Sequence, residues 1–180
     1  MSLPAEQNEL VGLACLDPQV IGAVFDRYYP DVYRFVCYRL SEKTVAEDIA
    51  SEVFVRLLEA ANSGHAPQTS LKAWLLGTAS HIVNDHFRKS YRRPSDDLPE
   101  TLPDGSPEPE QDVEQRERTR DLQAAMSLLT EEQQRVLTLR FGQGYSLEET
   151  AALMDKNVNA VKQLQLRALA ALNRSAGEIL

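Results

Sequence analysis

Long apolar runs are missing from this sequence, and cysteine and histidine are few. No stretch approaches the ~20 consecutive apolar residues that span a bilayer, so no membrane insertion is expected. Cysteine is scarce: Cys15 and Cys37 are the only two. They have neither a metal-ligand spacing nor a disulfide framework, which fits a reducing compartment. The segment MSLPAEQNEL has no basic stretch followed by an apolar one, so it does not read as a signal peptide, and a cytoplasmic location is expected. His81 and Asp85 share a helix face near His86, but two metal ligands without a third do not make a site. There is no glycine-rich phosphate loop and no nucleophile–base constellation. No catalytic residue, metal or cofactor is expected, and the chain does not read as an enzyme. Strand-like alternation is absent as well.

Basic residues are in the minority, 19 against 27 acids, for a net charge of −8. The imbalance is local. Ser95 to Gln115 holds Asp96, Asp97, Glu100, Asp104, Glu108, Glu110, Asp112 and Glu114 with no base, and without this segment the chain is neutral. Arg88, Lys89, Arg92 and Arg93 cluster without an intervening acid, and so do Lys156, Lys162, Arg167 and Arg174. Local fields rather than the overall balance govern contact with phosphates.

The apolar spacing predicts helices throughout. A loose tail and short helix, with Leu10, Leu13 and Ala14 on one side, precede Asp17-Pro18, an N-cap followed by proline at the first helical position. Ile21, Phe25, Tyr28, Val32, Phe35 and Arg39 then follow helical spacing, with Pro30 expected to kink the helix or start a new one. Lys43 to Ala61 buries Ala46, Ile49, Val53, Leu57 and Ala60. The segment from Asn62 to Thr69 reads as a loop. A third long helix, Leu71 to Arg93, begins around Trp74 and ends in FRKSYRR. Cations at a helix C-terminus suit the helix dipole; interleaved with Phe87 and Tyr91 they also suit nucleic acid.

Residues 94–117 carry five prolines and the acids just named. They are expected to be a flexible linker with a stretched reach of about 80 Å. Beyond it, Arg118 to Leu129 is helical, with Leu122, Ala125, Met126 and Leu129 inward. Thr130 with Gln133 forms a capping box, Val136, Leu137 and Phe141 pack, and Gly142 and Gly144 end that helix. Ser146 with Glu149 is a second capping box. Asp155-Lys156-Asn157 supplies a turn in which Asp or Asn tolerates the left-handed conformation. Val161, Leu164, Ala168 and Leu172 form the inner stripe of the following helix, and Asn159, Lys162, Gln163 and Arg167 lie opposite. These side chains suit base edges and phosphates, as in the second helix of a helix-turn-helix; an ordinary helical hairpin with a solvated face is the alternative. The fold class is all-α: two small helical domains, 1–93 and 118–180, joined by an acidic, proline-rich linker, the second domain being a helix-turn-helix.

Four stretches in order resemble the small, two-domain bacterial RNA polymerase sigma factors of the extracytoplasmic-function type. FDRYYPDVYRFVCYRL (Phe25 to Leu40) resembles the family's opening helices. AEDIASEVFVRLLE (Ala46 to Glu59) resembles the polymerase-binding helix, and WLLGTASHIVNDHFRKSYRR (Trp74 to Arg93) the helix that melts and reads the −10 element. Leu128 to Leu172 resembles the −35-reading domain. The resemblance implies a factor that directs polymerase core to promoters and initiates transcription. It implies that Asp48, Glu52, Phe54 and Arg56 dock on the polymerase clamp coiled coil, with further contact at the flap. His81, Asp85, Arg88, Lys89, Arg92 and Arg93 would face the −10 element, and Ser146, Asn159, Lys162, Gln163 and Arg167 the −35 element. The loop 62–70 lies where the family captures a flipped-out base. Promoter DNA, polymerase core and an anti-sigma factor are the implied partners. Ser51, Ser80 and His81 depart from the family's usual residues, as does the order Leu164-Gln165-Leu166. A stand-alone repressor or activator would use the same helix-turn-helix but leaves the Asp48 to Arg56 ridge without a role.

Overall fold

A computed structural model describes residues 4–92 and 110–179, and every regular element among them is helical. The first half is built on α2 (Pro18–Arg39), α3 (Lys43–Asn62) and α4 (Leu71–Arg92), with the short α1 (Pro4–Ala14) laid against them. Asp17 caps α2 by accepting from the Gln19 amide at 2.9 Å, with Pro18 in the first turn. Phe35, Val36, Val53, Leu57, Leu75 and Leu76 close the core between the three long helices. Removing such side chains from water is worth roughly 1.5–3 kcal/mol each.

Pro30 neither breaks α2 nor begins a new helix; α2 runs continuously through it. The ring lies on the exposed side, where the Asp26 carbonyl that it leaves without a donor has access to water. The buried stripe also differs slightly from the spacing expected. Val24 is fully buried and Phe25 is 40% exposed, and Ala61 rather than Ala60 completes the inner face of α3.

The second half comprises α5 (Glu110–Ser127), α6 (Glu131–Leu137), α7 (Leu147–Met154) and α8 (Val158–Ile179). Both capping boxes form. Thr130 Oγ1 accepts from the Gln133 amide and Ser146 Oγ from the Glu149 amide, and each partner side chain returns the bond. Asp155 ends α7 in the left-handed region at φ 52°. Asn157 then caps α8, its Oδ1 accepting from the Ala160 amide at 2.8 Å.

Three expectations need correction here. The expected linker, 94–117, is helical in its last part, since α5 reaches back to Glu110 rather than starting at Arg118; residues 94–109 lie outside the described residues. No proline follows Pro109, and acids at a helix start suit its dipole. Glu114 also pairs with Arg118 one turn on, at 2.9 Å, the spacing at which helical side chains are neighbours. Leu122, expected inward, is 43% exposed on this helix. Phe141, expected to pack, is 54% exposed. After Leu137 the helix widens into a π turn over Thr138–Gly142, and the extra residue per turn carries Phe141 off the inner face.

The two halves also touch, which no periodicity announces. The π turn packs on α2, and α6 and α7 pack on α4. A Cβ added at Gly142 would lie 2.8 Å from the Tyr38 ring. Only glycine, with no Cβ, allows α2 this close. Gln143 Nε2 donates to the Asp31 carbonyl at 2.6 Å. Lys72 bridges the same seam, 2.7 Å from Asp31 and 4.8 Å from the centre of the Tyr145 ring.

Candidate nucleic-acid and polymerase interfaces

The outer face of α8 presents Asn159, Lys162, Gln163 and Arg167, all exposed. Val161 and Ala168 anchor the opposite face in the core, with Leu164 and Leu172 half-buried beside them. Ser146 lies one helix earlier, half-buried as the cap of α7. Arg140, on the π turn, fixes the bearing of α8 by donating to Gln165 Oε1 at 3.0 Å and to the Tyr145 carbonyl. A two-helix unit with polar and cationic groups projecting from its second helix can enter a major groove and reach base edges.

On α4, His81, Asp85, Arg88 and Lys89 share one side, in keeping with spacings of three and four residues. Asp85 is half-buried and the other three are exposed. Arg92 is the last described residue of this helix, and Arg93 lies outside the described residues. This side is not free in the folded chain. Arg88 donates to Asp85 at 3.3 Å and, across the seam, to the Glu131 carboxylate on α6. His81 Nδ1 lies 3.9 Å from the other Glu131 oxygen.

Below this contact runs a buried polar chain. Arg39, at the end of α2, is 2% exposed and donates through one nitrogen to Asn84 Oδ1 at 3.0 Å and to Gln134 Oε1. Gln134 in turn donates to the carbonyls of Met126 and Leu129, 2.8 and 3.0 Å away, which closes the end of α5. Burial pushes the Arg39 guanidinium down to about 10, opposed by the nearby Glu131 charge, because a low-dielectric surrounding disfavours the charged form. Arg135 is also pushed down by burial, against the pull of Glu132, and donates to the Leu153 carbonyl at 2.9 Å. Lys156, which precedes α8, pairs with Glu132 at 2.7 Å.

The α3 candidates divide. Asp48 and Glu52 are exposed one turn apart, and Arg56 is tied to Glu52 by two bonds of 3.1 and 2.7 Å. Phe54 is instead 7% exposed, buried against Phe25 with ring centres 4.9 Å apart. Its side chain supports an aromatic group that continues through Tyr29 to Tyr33 along α2. Sequence reasoning missed the exposed apolar members of this surface: Phe25, Val55 at 52% and Leu58 at 37%. The available signal was that Val55 and Leu58 fall off the stripe of Ile49, Val53 and Leu57.

Among the described residues no group of three or more His, Cys, Asp or Glu could hold a metal ion, and no helix is long and apolar enough to cross a membrane.

Comparison with known proteins gives two family matches in the order of the two halves. Residues 24–93 match Sigma-70 region 2, and residues 125–174 match Sigma-70 region 4. Among curated relatives, the ECF RNA polymerase sigma factor SigX of Bacillus subtilis is 34% identical over 159 residues, covering 84% of this chain and 80% of SigX. The ECF RNA polymerase sigma factor BldN of Streptomyces coelicolor is 37% identical over 160 residues, 88% of this chain but 61% of BldN, so the chain spans under two thirds of that relative. The fold is shared with CnrH, solved in complex with the cytosolic domain of CnrY, at a TM-score of 0.64, 19% identity and coverage of 97% of this chain and 99% of that one.

Proposed function

This chain belongs to the sigma-70 family, among the extracytoplasmic-function sigma factors, and from that membership we propose which surfaces perform each step of promoter recognition. Sigma factors are non-enzymatic transcription initiation factors. The α3 face of Asp48, Glu52 and Arg56, with Phe25, Val55 and Leu58 beside it, docks on polymerase core, and Phe54 holds that face from beneath. Charged ridges steer and orient a partner helix, and apolar neighbours supply area that can leave water. His81, Asp85, Arg88, Lys89, Arg92 and Arg93 face the separated −10 strand, where cations meet phosphates and aromatic rings meet bases. Asn159, Lys162, Gln163 and Arg167 read the −35 duplex, with Ser146 at the head of the preceding helix.

The units are 1–93 for core docking and the −10 element, and 118–180, together with the earlier turns of α5, for the −35 element. The chain acts in the bacterial cytoplasm. An anti-sigma protein is a further partner; RpoE of Bartonella quintana, solved in complex with the anti-sigma factor NepR, shares the fold at a TM-score of 0.53.

The observation that carries this reading is the identity to SigX across both halves, together with a polar, exposed outer face on α8. Adding the purified chain to bacterial core polymerase should produce discrete transcription starts on genomic DNA that core alone does not make. A chain that binds operator DNA yet neither binds core nor starts transcription would be a repressor or activator instead.

A further inference from the structure

We propose that Leu166 reads a thymine in the −35 duplex, packing against the C5 methyl group that this base presents in the major groove. The inference rests on the assignment of α8 to the −35 element and names a residue of that surface which the assignment leaves unused.

Leu166 is 59% exposed. Its place on α8 gives that exposure a meaning that a stray surface leucine lacks. At 3.6 residues per turn it lies about 140–160° round the helix from Val161 and Ala168, both fully buried. It therefore stands on the crest of the outer face, within about 60° of Asn159, Gln163 and Ala170, all exposed. Lys162 and Arg167 lie about 70° to either side of this crest. The roll of α8 is fixed by its buried residues and by Gln165, the neighbour of Leu166, which Arg140 holds at 3.0 Å. Leu166 cannot turn inward without giving up that anchoring.

The crest of a helix in the major groove faces the base edges on the groove floor, and its flanks face the walls that carry the phosphates. The floor offers hydrogen-bonding groups at every base pair but a single kind of apolar group, the thymine methyl. Asn159 and Gln163 suit the former, and Leu166 suits the latter. In the free chain Leu166 leaves apolar surface in water; against a methyl, both surfaces leave water together. Cytosine carries hydrogen where thymine carries the methyl, so the contact discriminates at one base pair. Leu166 also falls where the order Leu164-Gln165-Leu166 departs from the family's usual residues, so the contact belongs to the promoter choice of this chain.

The test uses polymerase core carrying the full-length chain and a promoter duplex taken from a transcription start that this pair makes. Each thymine of the −35 segment, on either strand, is replaced in turn by uracil, which removes the methyl and keeps every hydrogen-bonding group. At one position the replacement should weaken binding roughly threefold, the scale of one methyl group returned to water. Leu166→Ala should bind the thymine duplex more weakly by a similar factor and lose nothing further at that uracil. Leu169→Ala, at a residue 39% exposed but about 90° from the crest, should keep the wild-type response. Equal binding of thymine and uracil duplexes at every position would overturn the proposal, as would a −35 segment without thymine. So would a Leu166→Ala variant that keeps the uracil penalty; if it also binds core more weakly without DNA, the leucine faces polymerase instead. Scrambling the −35 segment separates the two readings. No effect would remove the α8 assignment and the proposal with it, whereas a large effect without any uracil penalty would remove only the role of Leu166.

Discussion

At Asp155 the backbone turns through φ 52°. That conformation costs most side chains about 1 kcal/mol or more, and Asp and Asn tolerate it best. This one residue sets the angle between α7 and α8, and with it where Lys162 and Gln163 point. The two capping boxes act in the same local way, each worth about 1 kcal/mol of helix stability. Tyr28 carries a different kind of information. Its hydroxyl donates to Glu9 at 2.9 Å, and burial first, then that bond, push the phenol up to about 12 from an ordinary 10.0. The folded state thus favours the neutral phenol. Its contribution is intact below pH 10 and is lost as the pH rises from there through about 12, since the unfolded chain gives up its proton first. In alkaline unfolding followed by circular dichroism, Tyr28→Phe should flatten the loss of stability across that window; an unchanged alkaline limb would show that the phenol does not ionise on unfolding.

At the scale of single helices, α3 and α8 should fail independently. Lys162→Ala with Gln163→Ala removes two of the candidate base-edge contacts, each worth about 1–3 kcal/mol. Initiation at a promoter that depends on its −35 element should fall at least tenfold, with core affinity unchanged in a fluorescence titration. Asp48→Arg with Glu52→Arg should do the reverse, weakening core binding and leaving the isolated fold intact by calorimetry; equal core affinity would remove the α3 ridge from the interface. Elements of this kind are legible in the sequence because their signals are local. Ser146 with Glu149 marks a start, Asp155 a stop, and Val161 to Leu172 an inner stripe. Phe141 escapes such a reading because a π turn changes the period on which the inference depends. The start of α5 escapes it because acidity counts against folding alone, whereas acids at Glu110, Asp112 and Glu114 favour a helix beginning there. The buried side of Phe54 is hidden by its place between two exposed acids and Arg56.

For the molecule as a whole, the arrangement of the halves is illegible in the sequence, since it depends on side chains far apart in the chain and of no distinctive pattern. Arg39 at the end of α2 meets Gln134 on α6 through a bond between buried groups. Nothing near either residue announces the other. This chain of donors is expected to decide whether the halves behave as one body. With Arg39 in place, the buried apolar residues of both halves form one contiguous cluster, and heat should unfold them in a single transition. Arg39→Met keeps an apolar stem of similar length but leaves Asn84 Oδ1 and Gln134 Oε1 without their donor. Each such buried acceptor costs about 1–3 kcal/mol; Gln134 lies across the seam from Arg39, whereas Asn84 shares the first half with it, so part of the loss falls on the seam. Calorimetry of the variant should therefore resolve two transitions where the wild type has one, while binding to polymerase core persists because α3 is untouched. A single transition with an unchanged midpoint would mean that Arg39 does not couple the halves, and that Gly142 against Tyr38 and Lys72 between Asp31 and Tyr145 hold the seam without it.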